Sequence, residues 1–387
     1  MDLTLTPTQA EFRDEVREWL ERSVPAERLA PASTPEGLAA RVAWERSLWE
    51  AGFAAVHWPA EYGGRGMDAV STAIFYDEYL RAGAPDRLNR LGLGLGGPTI
   101  IDHGTPAQRA RWLPGILSCD ELWCQGFSEP AAGSDLAALR TRGRVDGDVL
   151  VVDGQKTWTS HSSVADWMFA LVRTDPDAPK HRGITFVMID MRAPGVTVRP
   201  IRQLNDVSGF SEVFFDDVRV PLGNVVGPMN DGWRVAMTTL THERGSGLNT
   251  AGHFRALLVE VVGMLSPERR ADPRVRATIG RLSEEIEAYR YMTLRTLTQL
   301  SAGRTPGAQS AMGKLWWSEL QTRIFELGLS ALGDAAILAD GAEEGQTFRQ
   351  RYWLSRAAHI YAGSNEIQRN IISERVLGLP KGGVRGV

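Results

Sequence analysis

The sequence predicts an α+β protein in which a helical region is followed by a small β-domain and then by more helices. Hydrophobic residues recur at helical spacing up to about residue 120, short β-rich runs follow, and helical spacing returns after about residue 228. We therefore expect an N-terminal helical domain over 1–120, a β-domain of barrel or sandwich type over 121–228, and a C-terminal four-helix bundle over 229–387. A chain of 387 residues is too long for one ordinary core, which agrees with three packed regions.

The first region opens with a helix-start signal. Thr6 can cap the helix, Pro7 suits its first turn, and Gln9 completes a capping box three residues after Thr6. Apolar residues follow at helical spacing from Phe12 onward. The stretch 59–64, Pro-Ala-Glu-Tyr-Gly-Gly, predicts a break between helices.

The middle region is identified by its turns. The β-rich run 149–152 lies between Asp146-Gly147 and Asp153-Gly154, and both pairs favour hairpin turns. Further β-rich runs cover 184–188, 196–201 and 213–215. In the last region, helical patterns predict four helices, over about 232–265, 274–302, 314–332 and 366–377.

Composition excludes several classes of protein. A formal charge of −4 leaves no electrostatic footprint for nucleic acid. Two cysteines, Cys119 and Cys124, indicate a reducing compartment, and their spacing cannot complete a zinc site, so we expect no metal. The acidic N-terminus does not resemble a signal peptide, and no apolar run reaches the roughly 20 residues of a membrane span, so we expect a cytoplasmic protein.

The segment 92–97 formally matches the dinucleotide-binding pattern G-x-G-x-x-G. That pattern binds a pyrophosphate only when it follows a strand and opens a helix within a βαβ unit. The preceding residues here are polar and turn-like, and no βαβ pattern surrounds them. We therefore interpret the segment as a closely packed helix start or loop.

Two further segments carry the stronger signal. Residues 123–135 form a small-residue loop in which Ser128, Ser134 and backbone amides can face a ligand. Residues 154–160, Gly-Gln-Lys-Thr-Trp-Thr-Ser, return about thirty residues later, so that Trp158 could stack on a planar ring and Ser160 could hydrogen-bond it. A tryptophan at a domain boundary is the plainer alternative for Trp158.

Together these residues resemble the acyl-CoA dehydrogenase family. Its T/S-E-P-x-A-G-S-D loop is matched at 128–135, its G-Q-K-x-W-x-T/S strand at 154–160, and its Y-x-G-T/S-x-x-I-x-R segment at 361–369. The matches occur in the family's order over nearly the whole chain. The resemblance implies α,β-dehydrogenation of an acyl-CoA thioester, in which FAD accepts a hydride and an electron-transfer flavoprotein receives the electrons.

The resemblance also implies roles for individual residues. FAD would lie between the β-domain and the C-terminal helices. Ser364 and Glu366 would approach FAD from the C-terminal segment, and Ser134 would lie near the flavin pyrophosphate or the pantetheine of the substrate. The residues implied around the flavin ring are Gln125, Phe127, Ser128, Trp158 and Ser160.

The position where many family members carry the catalytic base is Ala362 here, and alanine cannot accept the proton. A subset of the family, which includes isovaleryl-type enzymes, carries a Glu-Arg pair on the helix after the β-domain, and this chain has Glu243-Arg244 there. The resemblance implies that Glu243 removes the α-proton and that Arg244 orients Glu243 or contacts the substrate. The backbone amide of Ala362 could still donate to the thioester oxygen. A structural salt bridge or a solvated helix face is the alternative for Glu243.

Two departures from the family pattern concern assembly. The region 265–276 lacks a recognisable R-x-x-F-G segment, and Asp334 replaces a glycine where members touch a neighbour's FAD. A homotetramer and a heterotetramer with a second family chain therefore both stay open. We consider two other functions: a flavin monooxygenase of the same fold and a non-catalytic assembly subunit. If the chain is a dehydrogenase, the small residues near Glu243 suit a branched or bulky acyl group.

Overall fold

The computed structural model describes residues 4–205, 207–245, 251–304, 307–308, 310–336 and 343–381. It has helices, then a β-sheet, then helices, so the predicted α+β fold class is confirmed. The N-terminal helices are α1 (Pro7–Ser23), α2 (Pro35–Glu50), α3 (Ala69–Arg81), α4 (Gly97–His103) and α5 (Pro106–Ser118).

Helix α1 begins as its sequence predicts. The Thr6 hydroxyl accepts a hydrogen bond from the Gln9 amide at 3.3 Å, and the Gln9 side chain accepts one from the Thr6 amide at 3.1 Å. One face of α1 is buried, and it packs in a cluster with Phe75 of α3. The segment Gly92–Gly96 forms a π-helical turn that leads directly into α4, which agrees with a closely packed helix start.

The middle region is a seven-stranded sheet. Its order is β1-β4-β2-β3-β7-β6, and β5 pairs with β4 outside this path. The hydrophobic side of the sheet is continuous with the core of the N-terminal region. The strands are β1 (Trp123–Gly126), β2 (Arg142–Asp146), β3 (Val149–Ser160), β4 (Trp167–Arg173), β5 (Ile184–Asp190), β6 (Val196–Ile201) and β7 (Phe210–Pro221).

One predicted turn is present and the other is not. Strands β2 and β3 form a hairpin around Gly147, which has a φ of 63°. The predicted turn at Asp153-Gly154 is wrong, because β3 continues through it with an irregular register against β7. Gly154 is needed for another reason: its φ is 145°, and a Cβ there would lie 2.7 Å from the Thr141 Cα.

The C-terminal region has a core made by four helices, α7, α9, α10 and α11. Helix α11 was not predicted, because few of its residues are apolar. The predicted helix over about 232–265 corresponds to α6 and α7, and residues 246–250 between them lie outside the described residues. The helices are α6 (Gly232–Gly245), α7 (Ala251–Met264), α8 (Pro267–Ala271), α9 (Pro273–Ser301), α10 (Ser310–Leu332), α11 (Glu343–Arg356) and α12 (Asn365–Ile371).

Two absences within the described ranges bear on function. No helix in them combines the length and the apolar character that crossing a membrane requires. They also contain no group of three His, Cys, Asp or Glu side chains that could hold a metal ion. Cys119 and Cys124 are both buried and unbridged, and burial raises the pKa of each thiol.

Candidate active site

A buried ion pair joins the first two motifs. The Lys156 Nζ in β3 lies 2.7 Å from the Glu129 Oε1, and the two side chains are 0% and 7% exposed. The backbone amides of Arg140 and Thr141 also donate to the Glu129 carboxylate, at 2.6 and 2.9 Å. The Glu129 carboxylate, which accepts from Lys156 and from two backbone amides, therefore connects the loop after β1 to β3.

Both members of the pair are charged near pH 7. Burial acts to raise the pKa of Glu129, but the Lys156 charge and the donated hydrogen bonds outweigh it and hold this pKa below its ordinary value. Burial lowers the pKa of Lys156 to about 8, against the opposing effect of Glu129. Because the lysine pKa stays above 7, the ammonium group remains available to Glu129.

The ion pair places Ser128 beside the second motif. The Thr157 amide donates to the Ser128 carbonyl at 2.9 Å, and the Lys156 Nζ donates to the Phe127 carbonyl at 3.3 Å. Ser128 is half-buried, so its hydroxyl lies at the edge of the protein core. The loop that carries Ser128 is thus bonded to the strand residue next to Trp158.

Trp158 has the features of a residue held for a ligand. It is 60% exposed, which is unusual for an indole, and its φ is 58°. A left-handed conformation costs a non-glycine residue about 1–2 kcal/mol, and such strain is concentrated at functional sites. Its described ring neighbour is Phe210, in an edge-to-face arrangement with the ring centroids 6.2 Å apart.

The other predicted flavin residues of the β-domain occupy different environments. Gln125 in β1 and Ser160 at the end of β3 are half-buried, whereas Ser134 is exposed. Phe127 is 5% exposed and packs edge-on against Phe169 at 5.9 Å. The Phe127 ring therefore belongs to the core below the site rather than to its open surface.

The third motif, at residues 361–369, has an unusual backbone conformation that a side chain holds in place. Ala362 and Gly363 both have left-handed backbones, with φ of 55° and 83°. The Gln368 side chain donates to both of their carbonyls, at 3.2 and 3.3 Å, and holds this conformation. Ser364 caps α12 by accepting from the Ile367 amide at 3.4 Å, while Glu366 is exposed and its pKa is lowered by its own backbone amide and by Ser364.

A buried polar group behind this motif was not predicted. The Lys314 Nζ and the Ser318 Oγ, both from α10, donate to the Asn365 Oδ1 at 2.8 and 3.1 Å. Burial lowers the pKa of Lys314 to about 8, against the effect of two nearby glutamates. The Asn365 Nδ2 is buried and has no hydrogen-bond partner in the described part of the chain. The sequence signal was a run of polar residues at helical spacing, Lys314, Ser318 and Thr322, on the buried face of a largely apolar helix.

The predicted base and its neighbour lie in the last turn of α6. The backbone of Glu243 and Arg244 is helical, but their side chains lie outside the described residues. Helix α6 is fixed against α4 by hydrogen bonds of 2.9 Å between Thr99 and Thr239 and of 2.8 Å between the His242 Nε2 and the Asp102 Oδ2. The helix that carries Glu243 thus has a defined position against the N-terminal region.

Helical, sheet and helical regions in this order, with the loop after β1 joined to β3 by a buried ion pair, define a mixed α+β fold. Three family models match successive parts of the chain: "Acyl-CoA dehydrogenase, N-terminal domain" over residues 6–120, the "middle domain" over 124–218 and the "C-terminal domain" over 230–377. The chain belongs to the acyl-CoA dehydrogenase family. The predicted family and enzyme class, an oxidoreductase acting on CH–CH bonds, are confirmed.

Individual relatives agree over the full length. The chain is 42% identical to "Acyl-CoA dehydrogenase IpdE1" of Mycobacterium tuberculosis (strain ATCC 25618 / H37Rv), over 96% of this chain and 98% of that protein. A structure titled "Tcur3481-Tcur3483 steroid ACAD" superposes with a TM-score of 0.87 at 30% identity, covering 99% of this chain and 100% of the other. The ChsE4-ChsE5 complex from Mycobacterium tuberculosis has a TM-score of 0.81 at 32% identity, covering 99% and 100%.

Proposed function

We propose that this chain converts a saturated acyl-CoA to the α,β-unsaturated acyl-CoA with FAD as its cofactor and an electron-transfer flavoprotein as electron acceptor. FAD, when bound, accepts the hydride from the β-carbon. The exposed indole of Trp158 and the half-buried Ser128, on segments held together by the Lys156–Glu129 pair, fit a planar ring near the end of strand β3. This arrangement is the observation that carries the proposal.

Glu243 is the proposed base that takes the proton from the α-carbon. Ala362 has no carboxylate, so the loop that bears the base in many relatives cannot supply it. The hydrogen bonds between α6 and α4 hold the helix that carries Glu243 in place, as a base within reach of one carbon atom requires. Arg244 would orient this carboxylate or contact the substrate.

The third motif supplies donors rather than a base. The left-handed backbone of Ala362 turns its amide away from the helical direction, and the Gln368 side chain keeps it there. We propose that this amide donates to the thioester oxygen, where negative charge grows as the α-proton leaves. Ser364 and Glu366 at the start of α12, and the Asn365 Nδ2, which has no partner among the described residues, would approach FAD.

Glu243→Gln tests the dehydrogenase assignment. We expect the variant to keep FAD and acyl-CoA affinity, but to lose about 10²–10⁴-fold in turnover and in exchange of the α-proton with deuterated water. Glu260→Gln is the matched control, because Glu260 is a helical glutamate in α7 that pairs with Arg351 at 2.6 Å on the surface. Proton exchange at the wild-type rate in the Glu243 variant would refute the role.

We further propose that the chain assembles with a second chain of the same family. The titles of two similar structures each name two proteins. In this chain Asp334 follows α10 and is exposed, and its carboxylate would repel a neighbouring pyrophosphate. Expression of this chain alone, with measurement of its visible spectrum and mass, tests the proposal: a tetramer with about one FAD per chain would support a homotetramer instead.

A further inference from the structure

The side chain of Asn365 carries a buried donor that has no partner. Asn365 is 2% exposed, and its Nδ2 makes no hydrogen bond within the part of the chain that the structure describes. Its Oδ1, in contrast, accepts from the Lys314 Nζ at 2.8 Å and from the Ser318 Oγ at 3.1 Å. Because an unpaired buried donor is costly, this amide calls for an acceptor that a bound group supplies.

Lys314 fixes which half of the Asn365 amide lacks a partner. An ammonium group has three donors and no acceptor, so it can face the amide oxygen but not the amide NH₂ group. The Ser318 hydroxyl does not fix the choice, because it also reaches the Leu315 carbonyl, at 3.1 Å, and can accept from an amide. The Nδ2 therefore points away from the lysine for as long as the lysine is in place.

The packing of α10 does not by itself explain a lysine at position 314. Lys314 is 8% exposed, and its hydrogen-bond acceptor is a neutral amide. Glu366 and Glu319 act on it through their charges only, and Glu319 pairs with Arg369 at 2.6 Å. Burying a cation without a carboxylate partner costs free energy that an apolar side chain would avoid. The lysine therefore needs a reason other than stability.

Other contacts hold the third motif against α10. The rings of Trp317 and Tyr361 lie with their centroids 6.0 Å apart, and the Arg369 Nη2 lies 2.6 Å from the Glu319 Oε1. Along the chain, one of these anchors comes before Asn365 and the other after it. Neither anchor involves the lysine, so the orientation of the amide is the contribution that belongs to the lysine alone.

We propose that Lys314 is a positioning residue, which turns the Asn365 amide so that its Nδ2 donates a hydrogen bond to an acceptor atom of bound FAD. The inference rests on the proposed function, in which Asn365 approaches FAD, and adds the residue that sets the direction of the donor. Lys314 acts through Asn365 and needs no contact with FAD of its own. Without the ammonium group, the amide can rotate and donate to the Ser318 Oγ, and FAD then meets an amide oxygen instead of a donor.

The test is a double-mutant cycle on the assembled enzyme, from which FAD is removed and titrated back to measure its Kd. The variants are Lys314→Met, Asn365→Leu and the two changes together. We expect each single change to raise the Kd of FAD by about tenfold, the value of one good hydrogen bond. The double change should also raise it by about tenfold instead of about a hundredfold, because the same donor is lost. Lys314→Gln, which keeps a donor for the Asn365 Oδ1, should restore part of the affinity.

Thr322→Val is the matched control. The Thr322 Oγ1 lies 2.9 Å from the His359 Nε2, so this buried hydroxyl also joins α10 to the chain beside the third motif. Its loss should lower Tm by about 1 °C and leave the Kd of FAD within about twofold of wild type. If Lys314 served stability alone, Lys314→Met would show the same pattern.

The outcomes separate this inference from the proposed function. Single effects that multiply to about a hundredfold in the double variant, or a Kd for FAD in Lys314→Met within about twofold of wild type, overturn the inference. Unchanged FAD affinity with weaker acyl-CoA binding also overturns it, because the Asn365 donor would then serve the substrate. A wild-type assembly that binds FAD with the expected coupling but dehydrogenates no acyl-CoA overturns the proposed function alone, and one that binds no FAD overturns both.

Discussion

Replacing Lys156 by methionine would remove the cation that joins the motifs at 128–135 and 154–160. Methionine has a similar length, so the change leaves Glu129 as a charge 7% exposed with only backbone amides as donors. Breaking a buried ion pair from one side costs about 3–5 kcal/mol. For a chain of 387 residues that unfolds as one unit, each kcal/mol lowers Tm by about 1 °C, so we expect a fall of about 4–6 °C.

Lys180→Met is the matched control for this change. The Lys180 Nζ lies 2.9 Å from the Asp135 Oδ1, almost the separation in the buried pair, but the two side chains are 55% and 59% exposed. Exposed pairs contribute up to about 1 kcal/mol, so its Tm should fall by about 1 °C or less.

The assay is thermal unfolding at fixed protein and FAD concentrations, followed by tryptophan fluorescence, together with an FAD titration. FAD affinity should fall with stability in Lys156→Met, because Ser128 and Thr157 flank the pair and are bonded to each other. Equal shifts in Tm for the Lys156 and Lys180 variants would refute the reasoning that burial decides the contribution of the pair.

Two more predictions follow from His57 and from the third motif. Because burial lowers the folded-state pKa of His57 to about 4 against an ordinary 6.5, its contribution to stability is complete above pH 6.5 and is lost as pH falls toward 4, by up to about 3 kcal/mol. Urea unfolding at pH 7 and at pH 4.5 should show a smaller loss of stability in His57→Gln than in wild type. An equal loss in both proteins would contradict the lowered pKa of His57. Gly363→Ala places a Cβ 2.3 Å from the Gln368 Nε2 at a φ of 83°, so we expect it to weaken FAD binding. Gly378→Ala is the control, because its φ is 67° but a Cβ there meets open space, and it should change only stability, by about 1–2 kcal/mol. Equal FAD affinity in both variants would contradict a role for the Gln368 contact.

The order of helices and strands was predictable because hydrophobic periodicity is a local signal. The hairpin at Gly147 and the capping box at Thr6 are likewise short-range features, and both are present. The sheet order was not predictable, since β1 pairs in parallel with β4, about forty residues further along the chain. The predicted turn at Gly154 failed because a glycine in a strand also serves close packing, here against Thr141.

The motif residues were found from the sequence, but the interactions that hold them were not. Glu129 and Lys156 both lie within the quoted motifs, yet charged side chains are usually exposed, so nothing in the sequence indicated a buried pair. Lys314 was missed for the same reason, and its partner Asn365 lies 51 residues away. Charge burial depends on long-range packing, which a single sequence does not display.

The third motif explains why the base can lie elsewhere. Its left-handed backbone at Ala362 costs about 1–2 kcal/mol for a residue with a Cβ, and two hydrogen bonds from Gln368 maintain it. This fixed conformation supports the proposal that the backbone amide of Ala362, rather than its side chain, is the functional part of the loop. A proton acceptor must then come from an element fixed independently of this loop, and α6, bonded to α4 through Thr239 and His242, is such an element and carries Glu243 in its last turn.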